Sequence, residues 1–498
     1  MSSNLIFDTQ IRDAFAAASH DRNPLHLNAD YALRTQFGRP IVYGVCGVLA
    51  ALARWSADRD FTLRQLRVRF ERPLLYDMPY AISVSEKGPD VKIKITSGTT
   101  THVSIALAVE FTAEAAPAPS APPSAFIPLD APLTAVPSDA AYASLAGSTP
   151  DFDTDPRAVA NLLALLGFRP GQMPQAQIRF LLWASYYVGM QVPGRQALFS
   201  ELTASFDEDA ESFPGNSSRI GEIQFDDRFN RIMTSGTISE KSAFQIGAFV
   251  RPLPVNAALA QIRRHPLELE LFGGRTFVIS GGTRGFGEAL AKTIALQGGK
   301  VGANFRTSAR DAARMTRELD GHAFRTYPGD IGEADTAEEI LRKASIDLGP
   351  VEVCICNASP PIEAKKFTDL GADGFTRFVA QSLAPTFGLV SAFLKAAPEG
   401  GMAVLISSVY VADAPKDFSH YAAAKAAQEN LFENLAREYP RQRFLVARLP
   451  KILTDQTNLA YDREKPQSSI TIAVALAKLI ATFPAQSNFL HTTIGAES

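Results

Sequence analysis

Three side chains in the last quarter of the sequence have types and spacing suited to proton transfer at an oxygen. Tyr421 and Lys425 stand four residues apart in the helix-forming segment YAAAK, so both should lie on one helix face. The ammonium beside the phenol should lower the pKa of Tyr421, which then donates and accepts protons near neutral pH. Ser408, after the apolar run VLI, can bring a hydroxyl to the same point. A buried serine and a surface tyrosine-lysine pair is the alternative for these residues alone.

A glycine turn upstream of these residues predicts a phosphate site. The β-branched and aromatic run RTFVIS precedes GGTRGFG, and a helical pattern follows. Gly281, Gly285 and Gly287 let the backbone turn tightly and approach a pyrophosphate at the helix N-terminus. A glycine pattern alone is weak evidence, but this one precedes the serine, tyrosine and lysine in one α/β unit.

Together these residues resemble the short-chain dehydrogenase/reductase family over about residues 271–498. Its pattern is TGxxxGxG, then NAG, then serine and YxxxK, and CNAS at 356–359 stands at the NAG position. The resemblance implies an α/β Rossmann fold with a doubly wound parallel sheet, and catalysis by Ser408, Tyr421 and Lys425. The cofactor-binding residues that it implies are Gly281, Arg284, Gly285, Phe286, Gly287, Arg306, Asp330 (at the adenine), Ile331, Asn357, Ala358, Tyr421, Lys425, Pro450 and Thr454.

Two positions depart from this family. The family usually has an asparagine in the helix before the catalytic strand, a link in a water-mediated proton relay to the lysine, and Ser382 stands there instead. Ser382 could hold a water, or the relay could be altered. The usual proline-glycine after the last strand reads Pro450-Lys451, so we expect the cofactor loop to sit differently.

The charges around the predicted adenosine site favour NADPH as the cofactor. The second strand, VGANFR, ends in Arg306 and lacks the acidic residue that would bind a ribose 2′-hydroxyl. Arg284, in the glycine turn, adds a second cation that by resemblance marks phosphate-binding members. The alternative is that both arginines are solvated surface charges.

A second group of reactive side chains lies near the N-terminus. Asp21 and His26 flank the tight turn Asn23-Pro24, which disfavours helix at Asn23 and presents a carboxyl and an imidazole together. A carboxyl and an imidazole can serve as general acid and base. A capping aspartate and a buried histidine is the alternative.

With the following FGRPIVYG, this DRNPLH turn resembles the MaoC-like, (R)-specific enoyl hydratase family. By resemblance, His26 supplies the base at C2 and Asp21 the acid at the C3 hydroxyl of a 3-hydroxyacyl thioester, and Asn23 belongs to the substrate site. The N–H of Gly44, at a helix start, would polarise the thioester carbonyl. The family usually has histidine where Tyr43 stands, so we expect a changed pocket rim.

The pattern of elements predicts a double hot dog (α+β) followed by the Rossmann unit. Residues 1–112 read as a long apolar helix with four alternating strands, the first hot-dog half. An Ala/Pro-rich connector, 113–156, separates it from a second half, 157–256, which repeats this pattern without a D-x-N-P-x-H motif. Its segment SYYVGMQVPG resembles helices of the hydratase family. This second half should shape an acyl tunnel. A linker, 257–270, leads to 271–498.

Composition excludes several classes of protein. A net charge of −3 with 20% charged residues gives no field for nucleic acid or an anionic membrane. Three cysteines make no disulfide framework, and we expect Cys354 and Cys356 to be buried and to bind no metal. The apolar run 41–53 is too short to span a bilayer. The N-terminal residues do not read as a signal peptide, and a cytoplasmic protein is expected.

The two resemblances share an intermediate, which leads to one main hypothesis. The C-terminal unit would reduce a 3-ketoacyl thioester with NADPH, and the N-terminal unit would dehydrate the (R)-3-hydroxyacyl product to a 2-enoyl thioester. The expected partners are acyl carrier protein or coenzyme A, with a homo-oligomer formed through the reductase domain. One alternative is the catabolic reverse, hydration followed by NAD-linked oxidation. The other is a reductase whose hot-dog half only binds the acyl carrier.

Overall fold

The computed structural model describes residues 4–57, 59–111, 144–207, 213–461 and 465–495. The predicted connector 113–156 lies outside these residues up to residue 143. The chain divides into two compact units. The first comprises Met1–Leu33, Arg39–Leu253 and Leu459–Tyr461, and the second comprises Arg34–Gly38, Pro254–Asn458 and Asp462–Ser498. The last part of the predicted connector, 144–156, packs onto the first unit, where Phe152 and Thr154 are buried and the Gly147 N–H donates to the Ile220 carbonyl.

The first unit contains an eight-stranded antiparallel sheet in the order β2-β3-β4-β1-β5-β8-β7-β6. Alternation of side chains builds its buried face: in β3, Val91, Ile93 and Ile95 are buried while the intervening lysines are exposed. The second group of four strands repeats the order of the first in mirror image about the β1–β5 pair. The strands are β1 Phe61–Phe70, β2 Ala81–Lys87, β3 Asp90–Ser97, β4 Thr100–Phe111, β5 Ala197–Ser205, β6 Arg219–Asp226, β7 Arg231–Thr237 and β8 Ala243–Val250.

Two buried helices contribute to the core of this unit, Gly44–Ser56 from the first half and Gln175–Tyr186 from the second. Both are apolar on nearly all sides, as the sequence predicts, and they share one hydrophobic cluster with the strands. The second continues into a π-helical turn, Tyr187–Gln191. The helices are α1 Thr9–Ser19, α2 Pro24–Leu27, α3 Ala29–Leu33, α4 Gly44–Ser56, α5 Pro156–Leu166 and α6 Gln175–Tyr186, with a 3₁₀ turn at Gly194–Gln196.

The second unit is a seven-stranded parallel sheet in the order β11-β10-β9-β12-β13-β14-β15. In β9, Phe277 and Ile279 join one hydrophobic cluster and Val278 joins another, so helices cover both faces. Strand order reverses between β9 and β12, where doubly wound sheets bind ligands. The strands are β9 Thr276–Ile279, β10 Lys300–Phe305, β11 Phe324–Pro328, β12 Val351–Cys356, β13 Met402–Ser408, β14 Arg443–Leu449 and β15 Phe489–Thr493.

Helices and the predicted linker complete this unit. The helices are α7 Leu259–Ile262, α8 Gly285–Leu296, α9 Ala309–Glu318, α10 Ala334–Leu348, α11 Phe367–Ala396, α12 Tyr410–Asp413, α13 Ser419–Glu438 and α14 Ser469–Ala481. The predicted linker 257–270 is part of the unit, because Ala257 and Ile262 are buried in its core and the Ala257 carbonyl accepts a hydrogen bond from Lys292 at 2.7 Å.

The long helix α11 is interrupted at Gly371, which has φ 65°. By length and composition alone it is the one described helix that could cross a membrane. Its residues Thr386, Leu389 and Phe393 are nevertheless buried in the domain, as expected for a core helix. Phe387 on the same helix is 62% exposed.

Candidate functional site

Asp21 lies in the turn after α1, with its carboxylate buried in the first unit. Its Oδ1 accepts a hydrogen bond from the Asn23 N–H at 3.0 Å, and its Oδ2 accepts one from the Ser185 hydroxyl at 2.8 Å. Burial raises the pKa of Asp21 to about 7, while the hydrogen bonds from Asn23 and Ser185 and the nearby Arg22 act to lower it. A carboxyl group with this pKa is partly protonated near neutral pH and can act as an acid.

The His26 ring has a defined tautomer. Its Nδ1 lies 2.7 Å from the Ile41 carbonyl oxygen, which can only accept, so Nδ1 carries the proton and Nε2 presents a lone pair. Burial lowers the pKa of His26 to about 4, which keeps the ring neutral at pH 7. The environments of Asp21 and His26 therefore give an acid and a base at the same pH.

Tyr43 connects these two groups. Its ring stacks on His26 with centroids 3.9 Å apart, and its hydroxyl donates to the Asp21 carbonyl oxygen at 2.9 Å. The side chain is only 1% exposed. The predicted change at a pocket rim is therefore wrong: Tyr43 packs beneath the turn and holds its backbone.

Asn23 and Gly44 differ in what they can offer a substrate. The Asn23 amide donates to the carbonyl oxygens of Gly189 and Gly194 at 3.1 and 3.0 Å, and its oxygen accepts from the Leu25 N–H. The prediction that Asn23 binds substrate is wrong, because its buried amide is committed to hydrogen bonds with the backbone.

Gly44 is the first residue of α4, as predicted, and the helix has no side-chain cap. A Cβ on Gly44 would lie 2.7 Å from the Phe70 ring. The helix N-terminus is left as a donor for an oxyanion.

Tyr421 and Ser408 come together at the end of β13 in the second unit. Burial raises the pKa of Tyr421 to about 12, and its interaction with the Ser408 hydroxyl acts in the opposite direction. The prediction of a lowered pKa for this phenol is wrong, because burial outweighs the opposing hydrogen bond with the Ser408 hydroxyl. Ser408 also accepts a hydrogen bond from the Tyr410 N–H at 3.2 Å.

Lys425 is buried on α13 and tied to β13. Its ammonium donates to the Ile406 carbonyl at 2.7 Å, and burial lowers its pKa to about 8. One turn further on, Glu429 accepts hydrogen bonds from the Ser407 hydroxyl at 2.5 Å and from the Arg448 guanidinium at 2.9 and 2.6 Å. These bonds fix α13 against β13 and β14 and so fix the position of Lys425.

Ser382, at the position of the family asparagine, is hydrogen-bonded through both its hydroxyl and its carbonyl. Its hydroxyl donates to the Phe378 carbonyl of its own helix at 2.8 Å. Its carbonyl oxygen accepts from the Gln428 amide at 2.8 Å, and that amide also donates to Thr386. That Ser382 holds a water, or that the relay is altered, stays a prediction.

The glycine turn forms a cradle that fits a pyrophosphate. Gly281 and Gly285 have φ of 63° and 57°, and α8 begins without a side-chain cap. A Cβ on Gly287 would lie 2.1 Å from the Gly281 carbonyl oxygen. Asn357 braces the turn, donating from its side chain to the carbonyls of Ser280 and Gly281 at 3.2 and 3.0 Å. The residues present suit a dinucleotide.

The two predicted phosphate-binding arginines have different surroundings. Arg306 follows β10, has a side chain that is 67% exposed, and pairs with the Asp330 carboxylate at 3.0 Å. Asp330 also accepts from the Gly332 N–H at 3.0 Å. Burial lowers the pKa of Arg284, and the nearby Asp455 and Asp311 carboxylates oppose that change. Arg306 is thus the more accessible of the two to a phosphate.

The remaining predicted cofactor residues surround this cradle or support it. The methyl group of Thr454 lies 3.7 Å from the Cβ position of Gly285, so the loop after Pro450 approaches the turn. Phe286 and Ile331 are buried in the hydrophobic clusters. The backbone N–H of Ala358 donates to the Ser280 hydroxyl at 3.1 Å.

Two protein families match this chain. The short chain dehydrogenase family matches residues 275–465, and the MaoC like domain family matches residues 8–107. The chain is a fusion of a MaoC-like domain and a short-chain dehydrogenase domain. Both resemblances predicted from the sequence are confirmed.

Individual relatives cover less than half of this chain. A tropinone reductase homolog from Arabidopsis thaliana is 28% identical over 241 residues, which are 45% of this chain and 88% of that protein. An L-rhamnose 1-dehydrogenase (NAD(P)(+)) from a Sphingomonas species is 27% identical and covers 34% of this chain and 68% of its own length. A solved short chain dehydrogenase from Burkholderia cenocepacia in complex with NADP is 21% identical, with a TM-score of 0.41, and covers 46% of this chain and 97% of its own.

Sequence reasoning missed two residues beside the MaoC-like motif. Ser185 bonds to Asp21, and a Cβ on Gly189 would lie 2.3 Å from the Asp21 Oδ1. Both belong to SYYVGMQVPG, whose likeness to hydratase helices was the available signal. The segment holds no D-x-N-P-x-H motif, so its sequence alone predicts no role in proton transfer.

Proposed function

We propose that this chain is a bifunctional enzyme of fatty-acid or polyketide-type biosynthesis. It reduces a 3-ketoacyl thioester with NADPH to the (R)-3-hydroxyacyl thioester and dehydrates that product to the trans-2-enoyl thioester. The observation that carries the proposal is the Asp21 and His26 pair, whose pKa values lie near 7 and near 4, in the same chain as a Ser408, Tyr421 and Lys425 site. Perturbed groups with matched roles mark an enzyme in each unit.

For the reduction, this chain's residues hold the ketone and supply a proton. When bound, NADPH supplies a hydrogen with two electrons to C3. Ser408 donates a hydrogen bond to the C3 oxygen, and Tyr421 delivers its phenolic proton to that oxygen, which completes the alcohol. Lys425 stabilises the tyrosinate left behind, since its buried ammonium is charged below its pKa of about 8.

For the dehydration, acid and base act on neighbouring carbons. His26 Nε2 takes a proton from C2, and Asp21 gives a proton to the C3 hydroxyl, which leaves as water while the C2–C3 double bond forms. The Gly44 N–H at the start of α4 stabilises negative charge on the thioester oxygen. The substrate loses one proton to His26 and gains one from Asp21, so the elimination of water leaves its charge unchanged. His26 and Asp21 then return to their starting protonation states by exchanging protons with solvent.

The preference for NADPH is part of the proposal and is supported by Arg306. An exposed ion pair such as Arg306–Asp330 is worth only about 0 to 1 kcal/mol, so the guanidinium can exchange Asp330 for a 2′-phosphate at little cost. No acidic side chain follows β10 at the position that would bind a ribose 2′-hydroxyl.

We also propose the double hot dog for the first unit. Its support is the mirrored order of the two four-strand groups and the buried helix that each half contributes, α4 and α6. Each half then has one buried core helix and four antiparallel strands, although only the first carries D-x-N-P-x-H.

The proposed partners are a thioester of acyl carrier protein or coenzyme A and a second copy of this chain. Exposed Phe387 on α11, 62% accessible, supports pairing through the helices of the short-chain dehydrogenase domain. Buried free thiols at Cys46, Cys354 and Cys356 suit the proposed cytoplasmic location.

Incubation of 3-ketoacyl thioesters with NADPH, followed by mass spectrometry of the acyl group, tests the proposed function. The expected product is the enoyl thioester, 18 mass units below the hydroxyacyl thioester, which follows from loss of one water. Accumulation of the hydroxyacyl thioester would instead favour a non-catalytic hot-dog half. Oxidation of an enoyl thioester with NAD and without net NADPH-driven reduction would favour the catabolic direction.

A further inference from the structure

The second half of the first unit is bonded to the catalytic turn at three successive residues. The Ser185 hydroxyl donates to Asp21 Oδ2 at 2.8 Å, and the Arg22 N–H lies 3.1 Å from the Met190 sulfur. The Asn23 amide donates to the Gly189 and Gly194 carbonyls. The segment 185–194 therefore fixes the conformation of the turn that carries the acid.

The same segment leaves room for the carboxylate. Gly189 lies in the π-helical turn that follows α6, and a Cβ there would lie 2.3 Å from Oδ1 and 2.6 Å from Oδ2 of Asp21. A π-helical turn shifts the residues after it around the helix axis, and such turns are frequent at functional sites. Any larger residue at 189 would displace the carboxylate.

We propose that Ser185 is a positioning residue for dehydration, which holds the Asp21 carboxyl through its hydroxyl while Gly189 leaves the space that the carboxyl fills. The motif-less half would then set the orientation of the acid in addition to any tunnel that it lines. The catalytic meaning of this inference rests on the proposed dehydration.

The surroundings of Asp21 define what a change at Ser185 should do. The charged or titratable side chains near the carboxyl are Arg22 on its own turn, Tyr43 before α4, Tyr76, and Tyr186 on α6. The Asn23 N–H, the Ser185 hydroxyl and Arg22 favour the ionised carboxylate. Removing the hydroxyl while the other two stay removes one of three stabilising contacts and should raise the Asp21 pKa.

The test is a titration of the Asp21 carboxyl in the full chain. Carbon-13 NMR of protein labelled at aspartate carboxyl carbons would follow Asp21, with its signal assigned by Asp21→Asn. Ser185→Ala should raise the Asp21 pKa by about one to two units, the shift expected from losing one hydrogen bond to a charged group. The alkaline limb of the dehydration profile should move upward equally, with turnover about tenfold lower.

Ser218→Ala is the matched control, because Ser218 is fully buried in the same unit and its hydroxyl bonds to backbone groups of Gly215 and Ile238. It should leave the Asp21 titration unchanged. Ser185→Cys keeps the size of the side chain with a weaker donor and should also raise the pKa, which covers the case in which Ser185→Ala does not fold.

The outcomes separate the two claims. An unchanged Asp21 titration in folded Ser185→Ala and Ser185→Cys would overturn the positioning role, even if the wild type dehydrates its substrate. A raised pKa together with a wild type that never forms the enoyl product would support the positioning contact and contradict the proposed function.

Discussion

At the scale of single residues, the chemistry of each unit depends on how burial moves a pKa. Asp21 and His26 shift in opposite directions because burial disfavours the charged form of each, and the charged forms are the deprotonated acid and the protonated base. For Tyr421, burial acts against ionisation of the phenol, and the hydrogen bond with the Ser408 hydroxyl is the contact that opposes it.

Dehydration should follow a bell-shaped pH profile. It needs neutral His26, present above a pKa of about 4, and protonated Asp21, present below a pKa of about 7. The kcat/KM for dehydration should therefore fall as pH rises above about 7 and again as it falls below about 4. The measurement is kcat/KM for conversion of hydroxyacyl to enoyl thioester, and Asp21→Asn should lose the alkaline limb along with most of the activity. A rate that keeps rising to pH 9 would contradict the acid role of Asp21.

Tyr43→Phe should weaken dehydration without removing it. The variant keeps the stack on His26 but loses the donor to the Asp21 carbonyl, so we expect about tenfold lower kcat and about 1 to 3 kcal/mol lower stability. Tyr80→Phe is the control, since the Tyr80 hydroxyl is buried in the same half and accepts from the Leu75 N–H. Equal kcat losses in both variants would show that Tyr43 has no special relation to the turn.

Arg306→Asp should shift the cofactor preference towards NADH. A carboxylate would repel the 2′-phosphate that the exposed guanidinium of Arg306 is proposed to bind. Because that site is exposed, we expect the ratio of kcat/KM for NADPH over NADH to fall by about 10- to 100-fold. A wild type that uses both cofactors equally would disprove the assignment and favour the catabolic direction.

At the scale of elements, the sites depend on short segments at helix starts and strand ends. The glycine turn before α8 illustrates this, because Gly287 approaches the Gly281 carbonyl too closely for any side chain. Similarly, α13 is held to β13 and β14 through Glu429, which fixes Lys425 one turn away.

Gly287→Ala should abolish binding of the dinucleotide. The new Cβ, 2.1 Å from a carbonyl oxygen, would force the turn open, and we expect binding weakened by more than about 100-fold. Gly374→Ala in α11 is the control, since a Cβ there meets the Leu370 side chain at 3.4 Å. Titration with NADPH, followed by nicotinamide fluorescence, would measure both. Dehydration of added hydroxyacyl thioester should persist in Gly287→Ala, and unchanged NADPH binding would refute the cradle.

The sequence predicted these elements well where local patterns determine them. Alternation along β3 and the apolar sides of α4 and α6 indicated the sheet and its buried helices, and the glycine turn placed the cofactor cradle. It could not show that Asn23 bonds to Gly189 and Gly194, because those contacts join residues more than 160 positions apart. The direction of the Tyr421 pKa shift could not be predicted either, because it depends on burial of the phenol, and the YAAAK spacing gives no information on burial.

At the scale of the whole molecule, we propose two active sites that share one intermediate. The MaoC-like match at 8–107 and the short-chain dehydrogenase match at 275–465 do not overlap. Loss of one site should therefore leave the other reaction intact. The two halves of the proposed pathway can be separated by substitutions in single residues.

Product analysis of the wild type, His26→Ala and Tyr421→Phe tests this claim most directly. Each protein would receive a 3-ketoacyl thioester and NADPH, with the acyl products followed by mass spectrometry. We predict enoyl thioester from the wild type, hydroxyacyl thioester alone from His26→Ala at a nearly unchanged rate of reduction, and unreacted ketoacyl thioester from Tyr421→Phe. The last variant should still dehydrate added (R)-3-hydroxyacyl thioester. Loss of both reactions in correctly folded His26→Ala protein, or formation of enoyl product by that variant, would contradict two separate sites.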